Sequence, residues 1–200
     1  MGKLAVDFTL ALIALIFLSP VFLVLALLIK LETGGSVFFL QKRVGKNEKP
    51  FTIFKFRSMY EKHGLTPEEL GPVKHNHAVV TKLGHFMRRT KLDEIPQFVN
   101  VLMGTMSIVG PRPCLYSSLE EMSEDERRRF SVSPGVSGWA EVNGNVELTW
   151  HEQLALDLWY IDHQSFWLDW LIIGKTLKTI FWGSIRNEKA LLQAHKHEND

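Results

Sequence analysis

The chain has 200 residues, with 23 basic and 22 acidic side chains and a net charge of +1. That balance excludes a strong electrostatic partner such as bulk nucleic acid, which requires many phosphate contacts from basic residues. The single cysteine, Cys114, excludes an internal disulfide and is compatible with a reducing compartment.

The first element is an apolar run of 22 uncharged residues, from Phe8 to Ile29. As one helix it would measure roughly 33 Å, enough to span a hydrocarbon core of ~30 Å. Ser19 and Pro20 lie at its midpoint. Pro20 has no N–H for the Ile16 carbonyl and disfavours the helical conformation at Ser19. The sequence therefore predicts two half-helices joined by a membrane break at Ser19-Pro20.

Lysines flank this run at Lys3 and Lys30. Basic residues favour the cytoplasmic side of a membrane, so both ends are expected there and the segment is predicted to be re-entrant. A kinked spanning helix is the alternative, since proline is tolerated where a serine or a neighbouring helix satisfies the free carbonyl. A cleaved signal peptide is disfavoured, because the run is too long and no small-residue cleavage site follows it.

The rest of the chain predicts a helix-rich α+β domain. Ser36–Gln41 and Pro50–Arg57 are rich in Phe, Val, Ile and Thr and flank turn residues, which predicts a β-hairpin with a long loop. Residues 61–80 are predicted to be irregular. His75 and His77 within them could form a metal pair, although no third ligand stands at a recognisable spacing.

Helices and rigid loops follow in alternation. Helices are predicted over Leu83–Thr90, Asp93–Met103, Leu115–Phe130, Trp150–Tyr160 and Phe166–Trp182, and rigid loops over Gly110–Pro113 and Ser133–Gly138. Acids precede bases in the third helix, which complements its dipole and favours a charged surface helix. Aromatic residues and lysines in the last helix favour a membrane interface, and a core-facing helix is the alternative.

The expected organisation has three parts. Residues 1–31 form the membrane segment, 32–187 a cytoplasmic catalytic domain, and 188–200 a polar C-terminal tail that is expected to fray.

The strongest chemical signal is the acid pair Asp93-Glu94. At the start of a helix such acids commonly act as caps, which is the structural interpretation. The functional interpretation depends on nearby basic residues: Lys55, Arg57, Arg88 and Arg112. Arginines bind phosphates by bidentate hydrogen bonds, magnesium takes one or two carboxylates, and a carboxylate can attack phosphorus. This combination favours phosphate chemistry.

These motifs resemble those of the bacterial sugar transferases, in particular the monotopic phosphoglycosyl transferases. The resemblance extends from about Leu4 to Arg186. It rests on the central Ser-Pro of the apolar segment and on four motifs: Lys55-Phe56-Arg57-Ser58-Met59, Leu92-Asp93-Glu94-Ile95-Pro96-Gln97, Gly110-Pro111-Arg112-Pro113 and Pro134-Gly135-Val136-Ser137-Gly138. Each motif alone is weak, but their joint occurrence in this order is specific.

The resemblance implies transfer of a phosphosugar from a UDP-sugar to a polyprenyl phosphate, usually undecaprenyl phosphate, with release of UMP. It implies that Asp93 attacks the β-phosphate to form a covalent intermediate and binds Mg²⁺. It implies that Glu94 is the second catalytic acid and that Arg88 and Arg112 lie near the phosphates. The expected location is the cytoplasmic face of the inner membrane, with a re-entrant segment. Independently of the resemblance, the aromatic C-terminal helix could pair with a second copy of the chain to form a homo-oligomer.

Two residues depart from the family pattern. Glu141 replaces a glutamine and Asn145 replaces an arginine in Trp139-Ala140-Glu141-Val142-Asn143-Gly144-Asn145. Loss of that arginine removes an expected contact to the donor. The alternative function is therefore a membrane-associated scaffold of the same fold with little activity. A polytopic polyprenyl transferase is disfavoured, since it would need several long apolar runs.

Overall fold

The computed structural model describes residues 2–60, 79–183 and 185–199. The helices of this part are α1 (Gly2–Thr33), α2 (Lys82–Thr90), α3 (Gln97–Leu102), α4 (Trp139–Val142), α5 (Trp150–Asp162), α6 (Phe166–Trp182) and α7 (Glu188–Asn199). The strands are β1 (Phe38–Val44), β2 (Pro50–Phe56), β3 (Ser107–Val109) and β4 (Gly135–Ser137). The fold is thus helix-rich with a small β content, as the α+β prediction requires.

Helix α1 continues through Ser19 and Pro20, so the predicted break in helical structure is wrong. The Ser19 hydroxyl donates to the Ile16 carbonyl at 2.8 Å. That carbonyl is the one that Pro20 leaves without an N–H donor, so the serine compensates for the proline within the helix. By length and composition, α1 is the one helix in the described ranges that could cross a membrane.

Both halves of α1 pack against the rest of the protein. In the first half, the buried Asp7 accepts a hydrogen bond from the Ser107 hydroxyl at 2.7 Å. In the second half, Leu25 and Ile29 are buried in a cluster with Phe56, among others. Long apolar side chains between these contacts remain exposed, among them Ile13, Ile16, Phe17, Leu23 and Val24. The helix therefore lies along the domain and presents an apolar face outward.

Strands β1 and β2 form the predicted antiparallel hairpin, with Phe38 opposite Phe56 and Val44 opposite Pro50. The connection is shorter than expected, because pairing continues through Arg43 and Val44. The side chain of Val44 is buried, which explains why the first strand extends this far.

Helix α5 forms the centre of the main core. Its buried residues Leu156 and Tyr160 belong to one cluster with Val109 of β3 and Ile172 of α6. The predicted helices over Trp150–Tyr160 and Phe166–Trp182 are therefore confirmed, as is the helix over Leu83–Thr90. Thr81 caps the N-terminus of α2, where its hydroxyl accepts a hydrogen bond from the Gly84 N–H at 2.8 Å.

Two other helix predictions need correction, and one prediction is not tested. Leu115–Phe130 is not one helix but contains two short 3₁₀ turns, Tyr116–Leu119 and Glu126–Ser131. The helix predicted over Asp93–Met103 divides into a 3₁₀ turn at Leu92–Glu94 and the helix α3. The candidate metal pair at His75 and His77 lies outside the described residues.

The C-terminal stretch expected to fray forms helix α7 instead. Ala190, Leu191 and Ala194 are buried in the main core cluster. Three apolar residues on one face are enough to dock this otherwise polar helix.

Candidate active site

Two of the sequence motifs lie side by side, because the motif Gly110–Pro113 directly follows β3 and the motif Pro134–Gly138 contains β4, which pairs with β3 in parallel. The Gly110 N–H donates to the Ser137 carbonyl, and the Gly135 N–H donates to the Pro111 carbonyl, both at 2.9 Å. A Cβ on Gly135 would lie 2.2 Å from the Gly110 nitrogen, so glycine is required for this close approach. The approach fixes the start of the loop that carries Arg112.

Arg129 supports the same loop from the protein interior. One of its terminal nitrogens donates to the Arg112 carbonyl at 2.9 Å and to Asp157 Oδ2 at 2.6 Å. Both side chains of this ion pair are buried, and the guanidinium lies 5.4 Å from the Trp150 ring centroid. Burial raises the pKa of Asp157 to about 7, although Arg129 opposes the shift.

Glu94 is the centre of the candidate site. Its Oε1 atom accepts from Lys55 Nζ and from an Arg112 nitrogen, both at 2.7 Å. Lys55 comes from β2, Glu94 from the turn before α3, and Arg112 from the loop after β3. Three of the residues singled out in the sequence are therefore brought together, and Glu94 binds cations instead of capping a helix.

The electrostatic state of Glu94 follows from these contacts. Burial alone would raise its pKa, but Arg112 and Lys55, with a smaller effect of Lys91, hold the pKa of this carboxyl well below its usual range. Glu94 in turn raises the pKa of the Arg112 guanidinium. Glu94 is therefore a fixed anion at neutral pH that orients Arg112 and Lys55, although burial lowers the pKa of Lys55.

Asp93 differs from its neighbour. It is also buried, with 8% of its surface exposed. Within the described residues, no hydrogen bond or ion pair engages its carboxylate. Burial and the charge of Glu94 raise its pKa, against the opposing charges of Lys55, Lys91 and Arg88. A buried carboxylate without a described partner costs free energy unless a ligand completes it, which makes Asp93 the candidate reactive position.

Glu141 also joins the cluster through Arg112. Its Oε1 accepts from the second terminal nitrogen of Arg112 at 3.2 Å. Its Oε2 is buried and accepts no hydrogen bond from the described residues. Burial raises the pKa of Glu141, although Arg112 opposes that shift. The Arg112 guanidinium is thus held between two acids, of which only Glu94 was predicted as a site residue.

Arg88 and Arg57 are the remaining predicted phosphate ligands, and their relation to the site differs. The charge of Arg88 slightly lowers the pKa of Asp93, so Arg88 lies within electrostatic reach of this carboxylate. Arg57 follows β2, where its N–H donates to the Val37 carbonyl at 2.9 Å, and its role in phosphate binding stays a prediction. Lys91, which was not predicted, adopts a left-handed conformation with a φ of 60° between α2 and the turn containing Asp93.

The residues present fit a magnesium ion that is shared with a substrate. No group of three or more His, Cys, Asp and Glu side chains in the described ranges could hold a metal alone. Magnesium needs one or two carboxylates and takes its other ligands from phosphates and water. Because Lys55 and Arg112 engage Glu94, Asp93 is the carboxylate that would hold the ion.

Comparisons with known proteins agree with this chemistry. The family model described as "Bacterial sugar transferase" matches residues 1–183. An "Uncharacterized sugar transferase EpsL" of Bacillus subtilis is 39% identical over 178 residues, which cover 87% of this chain and 84% of that protein.

Two longer relatives carry names that state a reaction. The UDP-N-acetylgalactosamine-undecaprenyl-phosphate N-acetylgalactosaminephosphotransferase of Aeromonas hydrophila is 40% identical over 190 residues, covering 90% of this chain and 44% of that protein. The UDP-glucose:undecaprenyl-phosphate glucose-1-phosphate transferase of Escherichia coli is 40% identical over 183 residues, which cover 88% of this chain and 39% of that protein. The chain thus matches less than half the length of these two relatives.

Proposed function

This chain belongs to the bacterial sugar transferase family, and we propose that it transfers a phosphosugar from a UDP-sugar to undecaprenyl phosphate with release of UMP. The names of the two longer relatives support this kind of reaction. The observation that carries the proposal is the contrast within the acid pair. Glu94 is bound by Lys55 and Arg112, whereas the buried Asp93 carboxylate is engaged by no described side chain.

In the proposed reaction, a carboxylate oxygen of Asp93 attacks the β-phosphorus of the donor. The bond between that phosphorus and the bridging oxygen breaks, UMP leaves with the electron pair, and a covalent aspartyl-phosphosugar forms. An oxygen of the acceptor phosphate then attacks the same phosphorus and releases the Asp93 carboxylate. Two bulky anions thereby use one site in turn.

The cations have a defined role in this scheme. Lys55 and Arg112 are oriented by Glu94 before substrate arrives, so they can stabilise the charge of a diphosphate without further reorganisation. Arg112 retains 38% of its side-chain surface exposed, so it can also contact a ligand. Magnesium held by Asp93 would supply charge neutralisation at the diphosphate.

We further propose a monotopic placement on the cytoplasmic face of the inner membrane, with the continuous helix α1 bent at Pro20 so that it enters and leaves by one face. Two observations support it. Both halves of α1 contact the domain, whereas a straight span would carry one half away from it. Helix α6 also exposes large apolar side chains that suit a membrane interface: Phe166, Trp167, Trp170, Phe181 and Trp182.

The test of the reaction is UMP release by detergent-purified protein, supplied with magnesium and a panel of UDP-sugars. Without acceptor, we expect one UMP per enzyme and a mass increase of one phosphosugar on the intact protein. Undecaprenyl phosphate should then remove the added mass and permit turnover. Asp93→Asn should abolish both the UMP burst and the mass increase.

The matched control is Glu121→Gln, which alters an exposed acid and should retain the burst. A burst that persists in Asp93→Asn would exclude Asp93 as the nucleophile. No UMP with any donor would favour the alternative function, a membrane-associated scaffold with little activity.

A further inference from the structure

A cavity of about 410 Å³ lies between the first turns of α1 and the start of α6. This volume falls within the range of small-molecule pockets, about 300–1,000 Å³. Six apolar side chains line most of it: Val6, Leu10, Val109, Phe166, Trp170 and Ile173. The reaction chemistry described above makes no use of this cavity.

The charged residues that line the cavity already have partners within the protein. Lys3 forms an ion pair with Asp169, and Asp169 also accepts from the Tyr160 hydroxyl at 2.7 Å. Asp7 accepts from the Ser107 hydroxyl at 2.7 Å. Water in a cavity needs two to four polar partners, so these internally paired groups leave the space suited to an apolar guest.

The surroundings of the cavity indicate where the guest comes from. One wall is α1, the apolar helix, and the other is the first turn of α6, where Phe166 is 57% exposed. Beside it, Trp167 is 79% exposed. Aromatic side chains of this kind are typical of a membrane–water boundary. The cavity is therefore continuous with the surface proposed to contact lipid.

Strand β3 connects the cavity with the candidate active site. Val109 lines the cavity, and Arg112 follows three residues later. Three extended residues span at most about 10 Å, so the cavity lies close to the phosphate-binding arginine. A molecule with a phosphate at Arg112 and a hydrocarbon chain could occupy both places at once.

We propose, resting on the proposed function, that this cavity binds the phosphate-proximal isoprene units of the polyprenyl phosphate acceptor. The chain enters between α1 and α6, and its phosphate reaches the aspartyl intermediate beside Arg112. The cavity thereby aligns the lipid chain and contributes to acceptor binding, while the donor half-reaction does not depend on it.

The first test uses Val6→Trp, which fills the cavity, in protein reconstituted in phospholipid nanodiscs. The UMP burst without acceptor should remain, while the KM for undecaprenyl phosphate should rise at least tenfold. Leu12→Trp is the matched control on α1, since Leu12 does not line the cavity and is 41% exposed. An unchanged KM in Val6→Trp would overturn the proposal.

The second test uses wild-type protein, so it depends neither on catalytic activity nor on the correct folding of a variant. Wild-type protein in nanodiscs is irradiated with a polyprenyl phosphate that carries a diazirine on its first isoprene units. Adducts should map to peptides containing Val6 and Ile173, and unlabelled undecaprenyl phosphate should compete them away. Adducts only elsewhere, or equal labelling by a diazirine phospholipid without that competition, would refute the site even if UMP release is normal. Absence of UMP release together with these adducts would instead refute the proposed function and leave the site intact.

Discussion

At the scale of single residues, the buried pair Arg129–Asp157 predicts an asymmetry between its two partners. An arginine cannot lose its proton in a protein, whereas Asp157 has a pKa of about 7 and can become neutral. Asp157→Leu leaves an uncompensated buried cation and should lower the free energy of unfolding by about 3–5 kcal/mol. Arg129→Met should lower the free energy of unfolding by less, because Asp157 can take up a proton and become neutral. Thermal unfolding in detergent at pH 6 measures both.

The same ion pair predicts that the stability of the folded state depends on pH. The folded state retains a proton on Asp157 that the unfolded state releases near pH 4, so raising the pH from 5 to 8 removes stability. Loss of Arg129 raises this pKa further, so Arg129→Met should show a steeper decline in melting temperature over this range than Asp157→Leu. Equal slopes in the two variants would show that Asp157 does not titrate there.

Glu141 predicts a change in donor binding. In Glu141→Gln the amide oxygen can still accept from Arg112, but the site loses one negative charge. The KM for the anionic UDP-sugar should fall about threefold to tenfold, equivalent to roughly 1 kcal/mol. Because burial raises the pKa of Glu141, the effect should become smaller as the pH falls and this carboxyl takes up a proton. An increase in KM would mean that the charge of Glu141 is needed to hold Arg112.

Sequence alone identified the residues whose chemistry is visible in local motifs. Lys55, Asp93, Glu94 and Arg112 stand in recognisable patterns, and the structure places them together. Arg129 and Asp157 were missed, because their contact joins positions 28 residues apart and neither stands in a motif. The one available signal was an acid within the apolar stretch 154–158, which indicates a buried charge with a partner elsewhere.

At the scale of elements, substitutions on the buried and exposed faces of helix α1 should differ in their effect on stability. Ile29 is 1% exposed and packs in a cluster that includes Met87 and Ile95, whereas Leu27 is 60% exposed. Ile29→Ala should lower the free energy of unfolding by about 2–5 kcal/mol. Leu27→Ala serves as the control and should leave it nearly unchanged in detergent. A similar loss in both variants would contradict the docking of this half of α1.

The prediction of helices from the sequence failed where hydrogen bonds of side chains determine the backbone conformation. In the segment Leu115–Phe130, the Ser123 N–H donates to Glu126 at 2.7 Å and Arg127 donates to the Leu119 carbonyl at 2.8 Å. Such local hydrogen bonds compete with a continuous helix, although the charge order favoured one. At Pro20 the opposite occurred, since the Ser19 hydroxyl satisfies the carbonyl that should have broken the helix.

At the scale of the whole molecule, the proposed topology can be tested by labelling. In a Cys114→Ala background, single cysteines replace Gly2 and Ser36, at the two ends of α1. If the segment enters and leaves by one face, both cysteines should react with a membrane-impermeant maleimide only from the cytoplasmic side. Inverted and right-side-out vesicles provide the comparison. Labelling of either position from the outside would exclude the re-entrant arrangement.

The docking of α1 on the domain also determines the order in which this protein folds. Phe56, Met87 and Ile95 pack on α1 in one cluster, so the domain cannot finish its hydrophobic core before that helix is in place. Because α1 precedes these three residues in the chain, it is synthesised before them, and the later segments can assemble on it. Removing α1 would therefore leave the domain without part of its hydrophobic core, so docking of the later segments on α1 is a step of folding for this chain.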